Sequence, residues 1–428
     1  MRKKISFYTF GCRLNQSETA SIQNSLHHGG YDVVGFDQPS DIVVINTCTV
    51  TEGGDADTRH LVHKVNRQNP NARIALVGCQ AQVQKERLSD LPNVRWIVGN
   101  ARKMDLAAVF NEHPNPLTAA LVTPTIEREP FTVALASIDT DHTRANIKIQ
   151  DGCDFFCSFC EIPYARGRAR SRVFEDIFVE AKALIAAGHQ ELILTGINIG
   201  TYSYKAKTLM DVIKVMDQLD GLKRLRISSI EPTTVSNKIF DYMTGDHKLC
   251  RYLHVPLQSG DDEILQEMKR QYTLDEFSQF VKEAYAKVPQ ICIGTDVIVG
   301  FPGETEAHFE RTVETLRELP IHYFHVFSYS PRNLAKSRLM ETLNPQIIQH
   351  RSQLLRDLSQ RKRRLFSESL LGTVQTVLFE RPKGDGWQNG LTDHYVRVKV
   401  KATDNLFNQL LPVLLEKIDG QAVTGQLI

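Results

Sequence analysis

The sequence predicts an α/β protein in three parts: an amino-terminal parallel α/β sandwich, a central incomplete (βα)6 barrel, and a small carboxyl-terminal antiparallel β-barrel. Over roughly the first hundred residues, short β-branched runs alternate with helical periodicities, the pattern of a parallel sheet covered by helices. After a Pro-containing polar stretch the strand signal recurs six times with helices between. Beyond Gly372 the helical signal stops and short strands take over, as in a separate β-barrel.

In chain order, strands are expected over residues 5–10, 41–46, 73–77 and 94–98, with helices over 17–26 and 58–66. The polar stretch spans about residues 111–130 and reads as a linker. The barrel strands are expected over residues 146–149, 191–195, 224–228, 252–256, 293–299 and 323–328. Phe309, Val313, Leu316 and Leu319 give one intervening helix its apolar face, and Pro320 ends it. Asn344-Pro345 opens a long helix as N-cap and first helical residue; its apolar stripe includes Ile347, Leu354, Leu355 and Leu358. The run Arg361-Lys362-Arg363-Arg364 reads as its solvated end, where cations offset the macrodipole. The last strands are expected over residues 374–379, 395–400 and 422–427, broken by Gly384-Asp385-Gly386 and Asn389-Gly390. The expected domains are residues 1–115, a linker at 116–138, the barrel at 139–368 and the small β-barrel at 369–428.

The chain of 428 residues is 42% hydrophobic, ample for several cores. Its 51 basic and 50 acidic residues nearly cancel, so any nucleic-acid contact must come from local basic patches. No apolar run approaches the ~20 residues that span a bilayer. The basic start Met1-Arg2-Lys3-Lys4 leads into an apolar run that Gly11-Cys12-Arg13 cuts short, before a signal-peptide core forms. A cytoplasmic, reducing location is therefore expected, where clustered cysteines serve as metal ligands.

Six of the eight cysteines fall into two sets of three. Cys153, Cys157 and Cys160 lie in one short loop after the first barrel strand, and Cys12, Cys48 and Cys79 each follow a predicted strand. Ligands gather beyond the carboxyl ends of parallel strands, and adjacent strands lie ~4.8 Å apart, so the dispersed set can converge. Each of these three, taken alone, also reads as an ordinary buried cysteine. Structural zinc needs four protein ligands and ferredoxin runs are spaced differently. Cys250 and Cys292 have no partners at metal spacing and read as packing residues.

The spacing Cys153-x3-Cys157-x2-Cys160, with Phe159 before the last cysteine, resembles that of the radical S-adenosylmethionine enzymes. Gly11-Cys12-Arg13-Leu14-Asn15-Gln16, Asn46-Thr47-Cys48-Thr49-Val50 and Gly78-Cys79-Gln80-Ala81-Gln82 look like the amino-terminal domain of the methylthiotransferases within that group. The stretch from Phe159 to Arg172 is similar to their segment after the cluster loop, and Gly390-Leu391-Thr392-Asp393-His394-Tyr395 looks like their RNA-binding TRAM domain. The resemblance covers essentially the whole chain. Within the family, Gly-Cys-Arg-x-Asn-Gln and Leu194-Thr195-Gly196-Ile197-Asn198-Ile199-Gly200 look most like the branch that acts on N6-threonylcarbamoyladenosine beside the tRNA anticodon. Ser328-Tyr329-Ser330-Pro331-Arg332-Asn333-Leu334-Ala335 departs from the family pattern by lacking Gly-Thr after the arginine and its neighbour.

The resemblance implies two [4Fe-4S] clusters, an auxiliary one on Cys12, Cys48 and Cys79 and one on Cys153, Cys157 and Cys160 that binds and cleaves S-adenosylmethionine. One S-adenosylmethionine methylates sulfur at the auxiliary cluster, and a second yields the radical that removes the hydrogen at adenine C2. An external electron donor and a sulfur source are required. Phe159, Gly196, Asn198, Ser228, Glu231, Gln258 and Asp296, at or near strand ends, are the candidate S-adenosylmethionine contacts; turn chemistry or core hydrogen bonding is the competing role for each. Arg166, Arg168, Arg170 and Arg172 alternate as a stripe suited to an anticodon loop, or else pair internally with Glu175 and Asp176. Competing functions are the same reaction on prenylated adenosine in tRNA, methylthiolation of ribosomal protein S12, and a non-catalytic iron-sulfur RNA-binding regulator.

Overall fold

The computed structural model describes residues 2–133, 143–382, 384 and 386–428. Its amino-terminal sheet has six parallel strands: β1 (Lys4–Thr9), β2 (Asp32–Val33), β3 (Ile42–Thr47), β4 (Arg73–Gly78), β5 (Val94–Val98) and β6 (Ala120–Val122), in the order β2-β1-β3-β4-β5-β6. Side chains alternate between the faces of a strand. Ile42 and Val44 therefore join Ile22, Leu26 and Val109 in one core, while Val43 and Ile45 join Leu61, Val62 and Val65 in the other. Burial on both faces explains the unbroken apolar run of β3.

Two edge strands were not legible because each is too short to show a period. One of them, Ala120–Val122, lies inside the expected linker and pairs with β5 through Trp96, Ile97 and Val98, so that part of the linker is sheet. Residues 134–142, the end of the expected linker and the start of the expected barrel domain, lie outside the described residues. The first helix begins at Arg13, earlier than expected, because its N-cap is Cys12, which gives no side-chain capping bond. The second, Glu52–Gln68, is capped by Thr51, whose hydroxyl accepts from Gly54 N–H.

The central barrel consists of two parallel three-stranded sheets. Glu191–Thr195 lies between Arg144–Lys148 and Arg224–Ile227; Cys292–Val299 lies between Tyr252–His254 and Tyr323–Ser328. Leu225 joins them, donating to Lys248 O and accepting from Cys250 N, both at 2.8 Å. Gly294 sits opposite Tyr323 in this array.

The long helix spans Pro345–Ser369, with the Asn344 side chain accepting from Gln346 N–H. It corrects one expectation: residues 361–364 lie inside it, not at its end. Lys362 Nζ instead donates to the carbonyls of Leu316, Arg317 and Leu319 at the end of the Glu306–Glu318 helix. The cation does offset a helix C-terminus, but that of its neighbour.

The carboxyl-terminal strands close into a barrel in the order Val374–Phe379, Trp387–Thr392, Arg397–Lys401, Ala422–Leu427, Leu410–Asp419. Its core residues Val377, Phe379 and Val398 merge with Cys250, Tyr252, Cys292 and Tyr323 at the beginnings of central strands, so both remaining cysteines are packing residues. Arg226 Nε donates to Glu191 Oε1 at 2.7 Å while its Nη1 donates to Asp393 O at 2.8 Å. Asp385, in one expected turn, lies outside the described residues. The other expected break, Asn389-Gly390, lies within a strand. Gly390 is there because a Cβ would stand 2.5 Å from Val377 Cγ1 and 2.6 Å from Leu378 O. Gly390→Ala is therefore expected to cost about 1–3 kcal/mol by overpacking, read as a lower urea midpoint for the carboxyl-terminal barrel.

Candidate active site between two cysteine triplets

Cys48 directly follows β3 and Cys79 directly follows β4, and their preceding residues Thr47 and Gly78 are register partners. Asn46 pairs with Thr9 of β1, whose continuation carries Cys12. The close packing at this edge shows at Gly11, where a Cβ would lie 2.8 Å from both Cβ and Sγ of Cys48. Cys79 and Cys12 both lie near enough to act on Cys48, which is pushed up to about 12, first by burial and then by Cys79, with Cys12 adding to the rise. In the second triplet, burial lifts Cys160 to about 12 and Cys153 to about 11, with Cys157 contributing to both. Among the described residues no fourth cysteine joins either set, since Cys250 and Cys292 lie in the distant core.

The two sets occupy adjoining loops. Thr49, after Cys48, donates its hydroxyl to Glu161 Oε2 at 3.0 Å, and Glu161 follows Cys160. Arg332 ties the pair together, donating to Thr49 Oγ1 at 2.8 Å and Asp55 Oδ2 at 2.7 Å, while Leu334 N–H donates to Glu161 Oε1. The segment that departs from the family pattern thus provides an interdomain clamp. Asn100 Nδ2 adds another tie, donating to Ala165 O at 2.6 Å.

Each triplet has a buried arginine against one thiol. Arg166 Nε lies 3.1 Å from Cys79 Sγ, and Arg270 Nη1 lies 3.2 Å from Cys157 Sγ. The rest of the Arg166 guanidinium bonds Asn15 Oδ1, both carboxylate oxygens of Glu18, and Asp151 Oδ1 at 2.6–3.0 Å. Glu18 also pairs with Lys103 and Lys148, and Asp151 with Lys148 and Arg170. Counting Lys103, Lys148, Arg166 and Arg170 against Glu18 and Asp151, this buried group has two more cations than anions. Burial pushes the Glu18 carboxyl up, but Arg166, Lys103 and Lys148 hold it well below the usual range.

This network corrects the expected RNA-facing stripe. Arg166 and Arg172 are both 0% exposed and cannot meet RNA. The segment is not one extended strand: Arg166 ends the Ile162–Arg166 helix, and the chain then turns at Gly167 into the two-residue strand Arg170–Ser171. Arg172 pairs internally with Asp176 and Glu180, the first of these being one of the alternatives left open by the sequence. Arg170 faces Asp151, and only Arg168, paired with Asp154, is half-exposed.

The expected S-adenosylmethionine contacts separate into distinct roles. Asn198 is buried with Nδ2 lacking a partner among the described residues, and Ser228 Oγ is likewise unpartnered. Buried polar atoms of this kind cost free energy unless a ligand or water meets them, so both fit a polar ligand at the carboxyl ends of the barrel strands. Glu231 pairs with Arg270, the residue against Cys157. At Gly196 the space of a Cβ is taken by the chain itself, with Gln150 O and Ile199 Cγ2 both at 2.8 Å. Phe159, Gln258 and Asp296 line a cavity of about 170 Å³ with Val50, Thr51 and Phe327, where the loop after Cys48 meets the barrel. Gln258 has φ of 72°, a strained conformation for a side-chain-bearing residue that is concentrated at functional sites. Asp296 Oδ2 lies 3.1 Å from His254 Nε2, and His325 stands opposite Asp296 in the sheet register. Sequence reasoning missed Glu18, Arg270, Arg332, His254 and His325; they carry no spacing signal, because partners distant in sequence define them.

A partial β/α barrel with a three-cysteine loop beyond its first strand, on a loop hydrogen-bonded to that of a second cysteine triplet, defines an enzyme of the radical S-adenosylmethionine class. Residues 147–316 match the Radical SAM superfamily and residues 4–99 match the Uncharacterized protein family UPF0004. The chain is 36% identical to the threonylcarbamoyladenosine tRNA methylthiotransferase MtaB of Aquifex aeolicus, over 92% of this chain and 96% of that one. It is 32% identical to the MtaB of Bacillus subtilis, over 99% and 96%. A tRNA-2-methylthio-N(6)-dimethylallyladenosine synthase of Lachnoclostridium phytofermentans is 31% identical, over 98% and 94%. The chain belongs to the radical S-adenosylmethionine methylthiotransferase family and is of the MtaB type. Its fold is shared with the radical S-adenosylmethionine methyltransferase TsrM of Kitasatospora setae, with a TM-score of 0.57 at 14% identity, covering 77% of this chain and 74% of that one.

Glu18→Gln leaves Lys103, Lys148 and Arg166 short of a carboxylate, and breaking such a buried network is expected to cost about 3–5 kcal/mol in urea unfolding. The folded-state pKa of Glu18 is depressed, so the unfolded state takes up protons first as pH falls. The gap between wild type and variant is accordingly full at neutral pH and narrows below about pH 4, as acid moves past the unfolded carboxylate value toward the folded one.

Proposed function

We propose that this chain adds a methylthio group to C2 of N6-threonylcarbamoyladenosine at position 37 of tRNA, using two [4Fe-4S] clusters and two molecules of S-adenosylmethionine. The observation that carries this reading is the placement of two three-thiol sets on loops joined by the Thr49–Glu161 hydrogen bond. Cys153, Cys157 and Cys160 would hold one cluster, and Cys12, Cys48 and Cys79 the other, each with one iron left open. When bound, these groups supply S-adenosylmethionine cleavage at the first and methylated sulfur at the second.

The protein's own residues bind, orient and exclude water. Asn198 Nδ2 and Ser228 Oγ offer a donor and a hydroxyl to S-adenosylmethionine. Gln258 and Asp296 present polar atoms at the opposite strand ends, and Phe159 closes the cavity wall beside them. Arg270 places positive charge against Cys157, favouring its thiolate where burial alone disfavours it, and Arg166 lies against Cys79. The site lies between domains, which limits water access and protects a reactive species. The carboxyl-terminal barrel is read as a TRAM domain that contacts tRNA. An external electron donor and a sulfur source complete the requirements, and a cytoplasmic location goes with a tRNA substrate.

Mass spectrometry of tRNA nucleosides from cells with and without the gene is expected to show loss of the methylthio form of threonylcarbamoyladenosine, with the prenylated counterpart intact. The reverse pattern would overturn the substrate assignment. Reconstituted wild type is expected to hold about eight irons, four per cluster, falling to about four when either cysteine triplet is changed to alanine. Retention of all the iron by either variant would contradict the ligand assignment.

A further inference from the structure

A cleft of about 550 Å³ opens where the first helix, the first strands of the central barrel and the carboxyl-terminal barrel meet. Arg13, Arg144, Arg381 and Arg397 line it, with Glu380 as the one carboxylate among the described lining residues. Glu380 is engaged by Arg144 at 2.6 Å, and Arg13 and Arg397 add further positive charge to the lining. Three separate parts of the fold supply these arginines, so the concentration of charge arises from tertiary structure rather than from a basic run in sequence.

Tyr395 stands at the centre of the group. Its hydroxyl accepts from Arg13, and the guanidinium carbons of Arg13, Arg144 and Arg226 lie 5.2, 5.9 and 5.1 Å from its ring centroid. Burial raises the phenol's pKa, yet Arg13 and Arg144 bring it below its ordinary value. Arg13 Nη1 is shielded from solvent and has no partner among the described residues, and Asn146 Oδ1 beside the cleft is in the same condition. An unpaired buried guanidinium N–H is costly, and the forked donors of arginine match the paired oxygens of carboxylates and phosphates. Arg13 also directly follows Cys12, so the cleft begins beside the amino-terminal triplet.

We infer that this cleft holds an oxyanion of the substrate RNA, with Arg13 and Arg144 as its binding residues and Arg381 and Arg397 at its exposed rim. The inference rests on the tRNA reading above and deepens it. Two sources share the required chemistry: the carboxylate of the threonylcarbamoyl substituent on the target base, and a phosphate of a flanking nucleotide. A prenyl substituent carries no such charge and gains nothing from these arginines.

Fluorescence anisotropy with anticodon stem-loop RNAs, carrying either threonylcarbamoyladenosine or plain adenosine at position 37, separates the two sources. The full chain, reconstituted with iron and sulfide, is compared with its Arg13→Gln, Arg144→Gln and Arg397→Gln variants. Arg397 lies on the exposed face of its strand, which keeps that variant informative if the others fail to fold; thermal melting checks each one. If the carboxylate is bound, Arg13→Gln weakens the modified RNA about tenfold or more and leaves the plain RNA unchanged. If a phosphate is bound, the variants weaken both RNAs alike, and the slope of log affinity against log salt falls by about one per arginine removed. Folded variants that bind both RNAs like wild type at every salt concentration overturn the inference, as does a wild type that binds neither. Formation of the methylthio nucleoside is measured in parallel. Product formed by wild type from the modified RNA, with unaltered binding by the variants, removes the cleft assignment alone, whereas absence of product from the threonylcarbamoyladenosine RNA removes the functional reading.

Discussion

The architecture depends on the buried ionic junction centred on Glu18 and Arg166. Glu18 belongs to the first helix of the amino-terminal domain, while Lys148, Asp151 and Arg166 belong to the barrel and its cluster loop. Charges taken out of water are tolerated only when their partners are geometrically fixed. The junction therefore specifies which face of one domain meets the other, beyond any contribution to stability. Because Arg166 also touches Cys79, the same side chain sets the domain relation and the surroundings of a thiol.

A second junction reinforces the first without repeating its chemistry. Arg332, Asp55, Thr49 and Glu161 connect the loop after Cys48 to the loop after Cys160, and all four are buried. A shift of one domain against the other would break both sets of bonds together. Burial raises Cys48, Cys153, Cys157 and Cys160, and each triplet has an arginine placed against one of its thiols. The interface between the two cysteine-bearing loops is thus polar and buried.

Much of the scaffold was legible in the sequence because it follows short-range periodicity. The β-branched runs of β1, β3, β4 and β5 and the six barrel strands express alternation and burial directly. Convergence of Cys12, Cys48 and Cys79 followed from their shared position after neighbouring parallel strands. The edge strands Asp32–Val33 and Ala120–Val122 are too short to carry a period, and Asn389-Gly390 mimicked a turn where close strand packing was the actual reason for glycine. The alternating arginines after Cys160 misled for a related reason: an alternating pattern implies one face only when the backbone is extended, and Arg166 lies in a helix. Arg270 and Arg332 were invisible because their roles are set by Cys157, Asp55 and Glu161, which are far away in the chain.

The proposed reaction requires that the two cysteine triplets, held by these junctions, carry metal centres that face each other. Electron paramagnetic resonance of the reconstituted, reduced protein tests it most directly. If the centres face each other, the wild-type spectrum departs, through spin–spin coupling, from the sum of the spectra of two variants that each lack one triplet. A wild-type spectrum that equals that sum would contradict the facing arrangement.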